Sequence, residues 1–205
     1  MNINTIIFDL GGVIINLDEQ ATVRAFAELS GKPIAQVVEM YQVSDVFKRY
    51  EMGLISSVEF RTAIRQLMET DATDDVIDQA WNAMLGEIPM ARLDFMLQLQ
   101  KEYSVLILSN TNEIHETAFN QILAEVSGKA SLHDFAHEVY FSHRLHLRKP
   151  NADIYEEVLR QSGKSANECI FLDDKPENLK GAASVGIHTM HITTPDHIFQ
   201  LTDHV

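Results

Sequence analysis

Four polar clusters, each following or close behind an apolar run, carry the residues of this 205-residue chain best suited to chemistry. They are Asp9-Leu10-Gly11-Gly12, Ser109-Asn110-Thr111-Asn112, Arg148-Lys149-Pro150 and Asp173-Asp174. Taken singly, three of them have ordinary explanations. Asp9 can close a turn, Ser109, Asn110 and Asn112 can cap a helix, and Lys149 can be a solvated surface lysine. The adjacent carboxylates of Asp173 and Asp174 resist such an account, because they repel unless a cation shares them. Together these groups suit phosphoryl transfer. A carboxylate attacks phosphorus only when the repulsion between two anions is neutralised, and a hard divalent cation on oxygen ligands does this. Lys149 then offers a point charge to the nonbridging oxygens. Ser109 and the backbone N–H groups opening the next helix orient the phosphate. In this chemistry Asp9 is the nucleophile, forming an aspartyl-phosphate that water hydrolyses.

These clusters meet only if the runs before them lie side by side. Residues 5–10, 105–109, 138–142, 169–173 and 187–192 are short and mostly apolar, as strands buried on both faces must be. Helical patterns separate them. Ile114, Ala118, Phe119, Ile122 and Val126 share one face, with Gly128 as a stop. Pro150 opens a second helix with Ile154, Val158 and Leu159 inward and Gly163 behind, and Pro176 opens a third with Leu179, Ala182 and Ala183. The expected fold class is α/β, a doubly wound parallel sheet whose ligands bind beyond the carboxyl ends of the strands. Residues 18–88 break the alternation. Ser56 and Glu59 form a capping box ahead of Phe60, Ile64, Leu67 and Met68. Thr73 or Asp74 caps the next helix, with Val76, Ile77, Ala80, Trp81, Met84 and Leu85 inward until Pro89 stops it. The expected division is therefore a core of residues 1–17 and 89–205 with a helical insertion of residues 18–88.

Composition narrows the function classes. Hydrophobic residues are 45% and charged residues 22%, ordinary for a globular chain. Lys and Arg number 16 against 30 Asp and Glu, a net charge of −14, which repels phosphate backbones and anionic lipid. Nucleic acid and membrane surfaces are thus poor partners, and a phosphorylated ligand needs a local cation. The single cysteine, Cys169, sits in an apolar run and excludes an internal disulfide framework. Histidines do not build a second metal site, since His188 and His191 fall on opposite faces of a strand. With no basic residue ahead of the first apolar run, and Asp9 within it, neither a signal peptide nor a membrane span is expected. The expectation is a cytoplasmic monomer or homodimer.

The motifs Ile7-Phe8-Asp9-Leu10-Gly11-Gly12-Val13, Leu108-Ser109-Asn110-Thr111, Arg148-Lys149-Pro150 and Phe171-Leu172-Asp173-Asp174-Lys175-Pro176-Glu177-Asn178 resemble, in this order, those of the haloacid dehalogenase (HAD) superfamily. The segment Tyr50-Glu51-Met52-Gly53 is similar to a recurrent feature of the family's helical caps. The resemblance spans nearly the whole chain. It implies a Rossmann-like core, a mobile cap inserted after the first motif, and Mg²⁺-dependent phosphatase activity on a small phosphorylated metabolite. By position, Asp9 resembles the nucleophile and a metal ligand, the Gly11 carbonyl a second ligand and Asp174 a third. Asp173 resembles the supporting neighbour and Asn178 an outer-shell partner of the metal site. Ser109, with Asn110 beside it, and Lys149 match the phosphate-binding positions.

Gly11 departs from the family pattern, which carries a second aspartate there to protonate the leaving alcohol and later activate water. Loss of such a group costs about 10²–10⁴-fold in rate. The resemblance leaves three outcomes: a substrate with an easier leaving group, such as a sugar 1-phosphate or acyl phosphate; a substitute acid such as Asp18 or a cap residue; or an inactive phosphate-ligand sensor. The Asp-Leu-Gly-Gly pattern is similar to sugar-phosphate phosphatases and favours activity. Metal-free 2-haloacid dehalogenation needs no leaving-group acid, but Asp173-Asp174 is an odd retention for it. A receiver domain is excluded by order, since here the acidic pair follows the lysine.

Overall fold

The computed structural model describes residues 3–203. Five strands form one parallel sheet: β1 Thr5–Phe8, β2 Ser104–Ser109, β3 Glu138–Phe141, β4 Cys169–Asp173 and β5 His188–His191. Their order is β3-β2-β1-β4-β5, which sets β1 between β2 and β4. Phe8 is level with Ile107 on one side and Leu172 on the other, so one step further Asp9 stands beside Asp173. Alternate strand residues enter two different cores. Ile6, Phe8, Ile107 and Leu172 face one layer, while Ile7, Leu106, Leu108 and Phe171 face the other. Burial on both faces explains why these strands read as continuous apolar runs.

Six helices lie between β1 and β2, and the first five form the insertion: α1 Glu19–Ser30, α2 Ile34–Val43, α3 Val46–Glu51, α4 Ser57–Met68 and α5 Asp74–Asn82. Phe26, Val37, Phe47, Phe60, Ile64, Ile77 and Trp81 give this insertion an apolar core of its own. The capping box forms, with the Ser56 hydroxyl accepting from the Glu59 N–H and the Glu59 carboxylate from the Ser56 N–H. A sixth helix, α6 Met90–Leu99, follows Pro89 and buries Leu93, Met96 and Leu99 against the sheet. The remaining helices are α7 Glu113–Ser127, α8 Ser142–Leu145, α9 Ala152–Ser162 and α10 Pro176–Ser184. Gly128 and Gly163 end α7 and α9 in the left-handed conformation, at φ 70 and 66°, where a Cβ is costly.

Several local expectations are corrected. Pro89 does not stop α5, which already ends at Asn82, before Met84 and Leu85; it opens α6 instead, because proline suits the start of a helix. Val76 and Val126 are exposed, lying off the stripes defined by Ile77–Trp81 and by Ile114, Phe119 and Leu123. Ala183 is also exposed, beside buried Ala182. The helix after Pro150 begins at Ala152. Cys169 is buried as expected. No helix among the described residues is long and apolar enough to cross a membrane.

Candidate active site

The carboxyl ends of the strands and the α1–α5 insertion enclose a cavity of about 330 Å³. Asp9 lies at its floor, 7% exposed. Its Oδ1 accepts from the Leu10 N–H at 2.7 Å and pairs with Lys149 Nζ at 2.8 Å, and neither bond uses Oδ2. The Lys149 ammonium, 1% exposed, also donates to Asp173 Oδ2 at 2.7 Å and lies 5.1 Å above the Phe171 ring. Asp173 is fully enclosed, and its partners are fixed: Lys149, the Asn178 amide at 3.0 Å to each oxygen, and the Lys175 N–H at 2.8 Å. Asp174 follows directly after the strand and is only partly buried. Its Oδ1 is buried with no partner.

Asp9, Asp173 and Asp174 thus bring ligand oxygens within 4.8 Å of one another. Three carboxylates face one ammonium. Burial pushes the Asp9 carboxyl up to about 7; Lys149 opposes that rise, and Asp173 and Asp174 add to it. Burial, then Asp173, raises Asp174. Burial draws Lys149 down, but Asp9 and Asp173 together hold it above its ordinary value. The excess negative charge and the orphaned Asp174 oxygen fit a hard divalent cation. Gly12 permits this close approach. It has φ 75°, and a Cβ there would lie 2.6 Å from Asp174 Oδ2.

The other sequence-selected residues divide between the cavity and its frame. Gly11, Ser109 and Asn110 line the cavity. Ser109 Oγ makes only a long 3.4 Å contact to the Asn110 carbonyl. The Asn110 side chain joins the backbone of Lys149 reciprocally, donating to its carbonyl and accepting from its N–H, each at 3.0 Å, and so fixes the lysine loop to the end of β2. Asn178 clamps Asp173 and itself accepts from Tyr155 Oη through its carbonyl at 2.7 Å. Asp18, the substitute acid offered by the sequence, is not among the residues lining the cavity. It caps α1 by accepting from the Gln20 N–H and pairs with Arg24 at 2.6 Å. A Cβ on Gly11 would meet Leu17 Cδ1 at 2.5 Å, so Leu17 occupies the space beside the missing side chain.

Sequence reasoning missed the residues that join the insertion to the strand ends. Glu51 Oε2 pairs with Arg148 at 3.1 Å, and Glu19 with Lys175 at 2.7 Å; all four line the cavity. The His146 ring meets the Met52 carbonyl at 2.9 Å. Trp81, read as core, is buried, but its indole N–H donates to Asn112 and its ring stacks on His115 at 4.7 Å. Burial holds His115 neutral, lowering it to about 3. Only the Tyr50–Gly53 motif gave a signal for this group.

The chain matches the model of the haloacid dehalogenase-like hydrolases over residues 3–186. It is 30% identical over 187 residues, 91% of this chain and 90% of the relative, to a D-ribitol-5-phosphate phosphatase of Bacteroides thetaiotaomicron. The crystal structure of a HAD family enzyme from that species, complexed with magnesium and inorganic phosphate, aligns at TM-score 0.82 and 34% identity, covering 92% of this chain and 93% of that one. A HAD-like family hydrolase of Porphyromonas gingivalis aligns at TM-score 0.87 and 30% identity, covering 99% and 98%. The chain belongs to the haloacid dehalogenase-like hydrolase family, and its parallel sheet is the Rossmann-like core of that family.

Proposed function

We propose that this hydrolase is a Mg²⁺-dependent phosphatase of a small phosphorylated metabolite, a sugar or polyol phosphate, acting through an aspartyl-phosphate on Asp9. The observation that carries the reading is the group of three carboxylates around Lys149, with one Asp174 oxygen unpartnered. Asp9, the Gly11 carbonyl and Asp174 are the protein ligands in this reading. Bound Mg²⁺ supplies charge neutralisation, offsetting the repulsion between the carboxylates and the phosphate. Lys149 holds Asp9 by Oδ1, which leaves Oδ2 to attack phosphorus. The Asp9–phosphorus bond forms as the bond to the leaving alcohol breaks, and water then displaces Asp9 and releases phosphate. Ser109 and Lys149 hold the nonbridging oxygens, and Asn110 sets the position of Lys149. Gly11 supplies no proton, so the departing alkoxide takes its proton from water and rates rise as the basicity of the leaving oxygen falls.

The residue 18–88 insertion acts in this reading as a cap over a core of residues 1–17 and 89–205, supported by its separate apolar cluster and its cavity-lining side chains. The relative named as a ribitol-phosphate phosphatase supports the substrate class. The orphaned Asp174 oxygen favours this reading over metal-free displacement of halide. The test is phosphate release from phosphorylated sugars, polyols, nucleotides and acyl phosphates, with and without Mg²⁺, beside Asp9→Asn. Release that requires both the metal and Asp9 is expected. Binding of Mg²⁺ and phosphate analogues with no turnover of any substrate would replace this reading with a sensor.

A further inference from the structure

Glu51 and Arg148 hold a distinct place in the cavity. Arg148 directly precedes Lys149, whose backbone is locked to Asn110, so its position follows that of the phosphate-facing lysine. Glu51 ends α3, and its backbone is seated on the core from three sides. Its carbonyl accepts from Ser142 Oγ at 2.5 Å, the next carbonyl, of Met52, meets His146, and Gly53 lies so close to the His143 carbonyl that a Cβ would fall 2.1 Å from it. Only glycine allows that approach. The insertion thus delivers the Glu51 carboxyl to one fixed point of the cavity wall.

That carboxyl keeps acceptor capacity open to the cavity: among the described residues its side-chain partner is Arg148, through Oε2 at 3.1 Å, and Oε1 is left to water or a ligand, whereas a carboxylate offers about four acceptor sites. Arg148 Nε is buried without a partner. Burial raises Glu51 against the pull of Arg148 and Lys175. An acidic acceptor in a cavity that receives a dianion is unfavourable unless the ligand brings donors to it. The same cavity is also lined by Phe47, Trp81, Met84 and Leu85, apolar side chains suited to C–H surface. An acceptor and a guanidinium together with apolar side chains in one cavity suit vicinal hydroxyls on a carbon chain better than a purely hydrocarbon leaving group.

We infer that Glu51, positioned with Arg148, is the specificity-determining residue that reads the hydroxyls of the leaving group, an inference that rests on the phosphatase reading above. The experiment compares kcat/KM for a pentitol 5-phosphate and for pentyl phosphate, which has the same chain length and no hydroxyls, in the wild type, Glu51→Gln and Glu51→Ala. The ratio between the two substrates cancels any loss of folded enzyme. It is expected to fall about 10- to 100-fold in Glu51→Ala, with KM for the pentitol phosphate rising, and by less in Glu51→Gln, which keeps one acceptor. A ratio unchanged in both variants, while the wild type hydrolyses both substrates, overturns the inference and leaves the phosphatase reading intact. A wild type that releases phosphate from no substrate overturns both.

Discussion

Asp9→Asn should make the metal-free protein more stable while abolishing turnover. Burial raises the Asp9 carboxyl from 3.8 to about 7 even with Lys149 at 2.8 Å. At about 1.4 kcal/mol per pH unit, holding it ionised above pH 7 costs the metal-free fold on the order of 4 kcal/mol. Asparagine has nearly the same shape, can still accept from the Leu10 N–H, and leaves Lys149 its bond to Asp173. Because it gives up the ion pair with Lys149, the net gain is roughly 1–4 kcal/mol. For a chain of this size that is a rise of roughly 2–15 °C in melting temperature. The sign of the pH dependence follows from proton binding. Between about pH 4 and 7 the folded Asp9 holds a proton that the unfolded chain has released, so the Asp9 contribution to wild-type stability falls as pH rises through that window and levels off above it. Thermal melts of both proteins in chelator from pH 4 to 8 should therefore show the difference opening between pH 4 and 7. Added Mg²⁺ should close it at pH 8 by stabilising the wild type. An Asp9→Asn protein that melts no higher than wild type at pH 8, or a difference of equal size at pH 4.5, would refute the argument.

Gly12→Ala should weaken Mg²⁺ activation at least tenfold, seen as a higher Mg²⁺ concentration for half-maximal phosphate release, because its Cβ would fall 2.6 Å from Asp174 Oδ2 at φ 75°. Gly11→Asp should give little by itself, since its Cβ collides with Leu17; Gly11→Asp with Leu17→Ala should hydrolyse alkyl phosphates at least tenfold faster than Gly11→Asp alone. His115 stays neutral when folded, from 6.5 down to about 3, so its own contribution to stability is lost as pH falls below about 6.5, opposite in sign to that of Asp9. Melts of His115→Phe should show a flatter acid limb, and an unchanged slope between pH 6.5 and 4 would count against this assignment.

The strands and the residues ending them were legible because two-sided burial leaves an unmistakable apolar run, and each run stops at the carboxyl end of its strand, where polar side chains line or frame the buried site. Asp9, Ser109 and Asp173 follow directly from that rule. What could not be read was which polar side chains of the insertion reach the cavity. Asp18 and Glu19 are neighbours in sequence, yet Asp18 is spent on capping α1 while Glu19 reaches Lys175. Glu51 and Arg148 are 97 positions apart in sequence, and no local pattern announces their meeting. Val76 was misjudged because a short helix with acidic neighbours defines its buried stripe only loosely, and α6 because a proline was read as an ending alone.

The two aspartates closing β4 invite opposite fates under mutation. Asp173 is fully enclosed and satisfies Lys149, Asn178 and the Lys175 N–H, so its removal strands three donors inside the protein. Asp174 Oδ1 has no partner among the described residues, so its loss leaves no donor of theirs stranded. A lineage drifting from enzyme toward a non-turning-over binder could therefore discard Asp174 freely while keeping Asp173 to stay folded. The preservation of one aspartate is thus a record of folding, and that of the other a record of use.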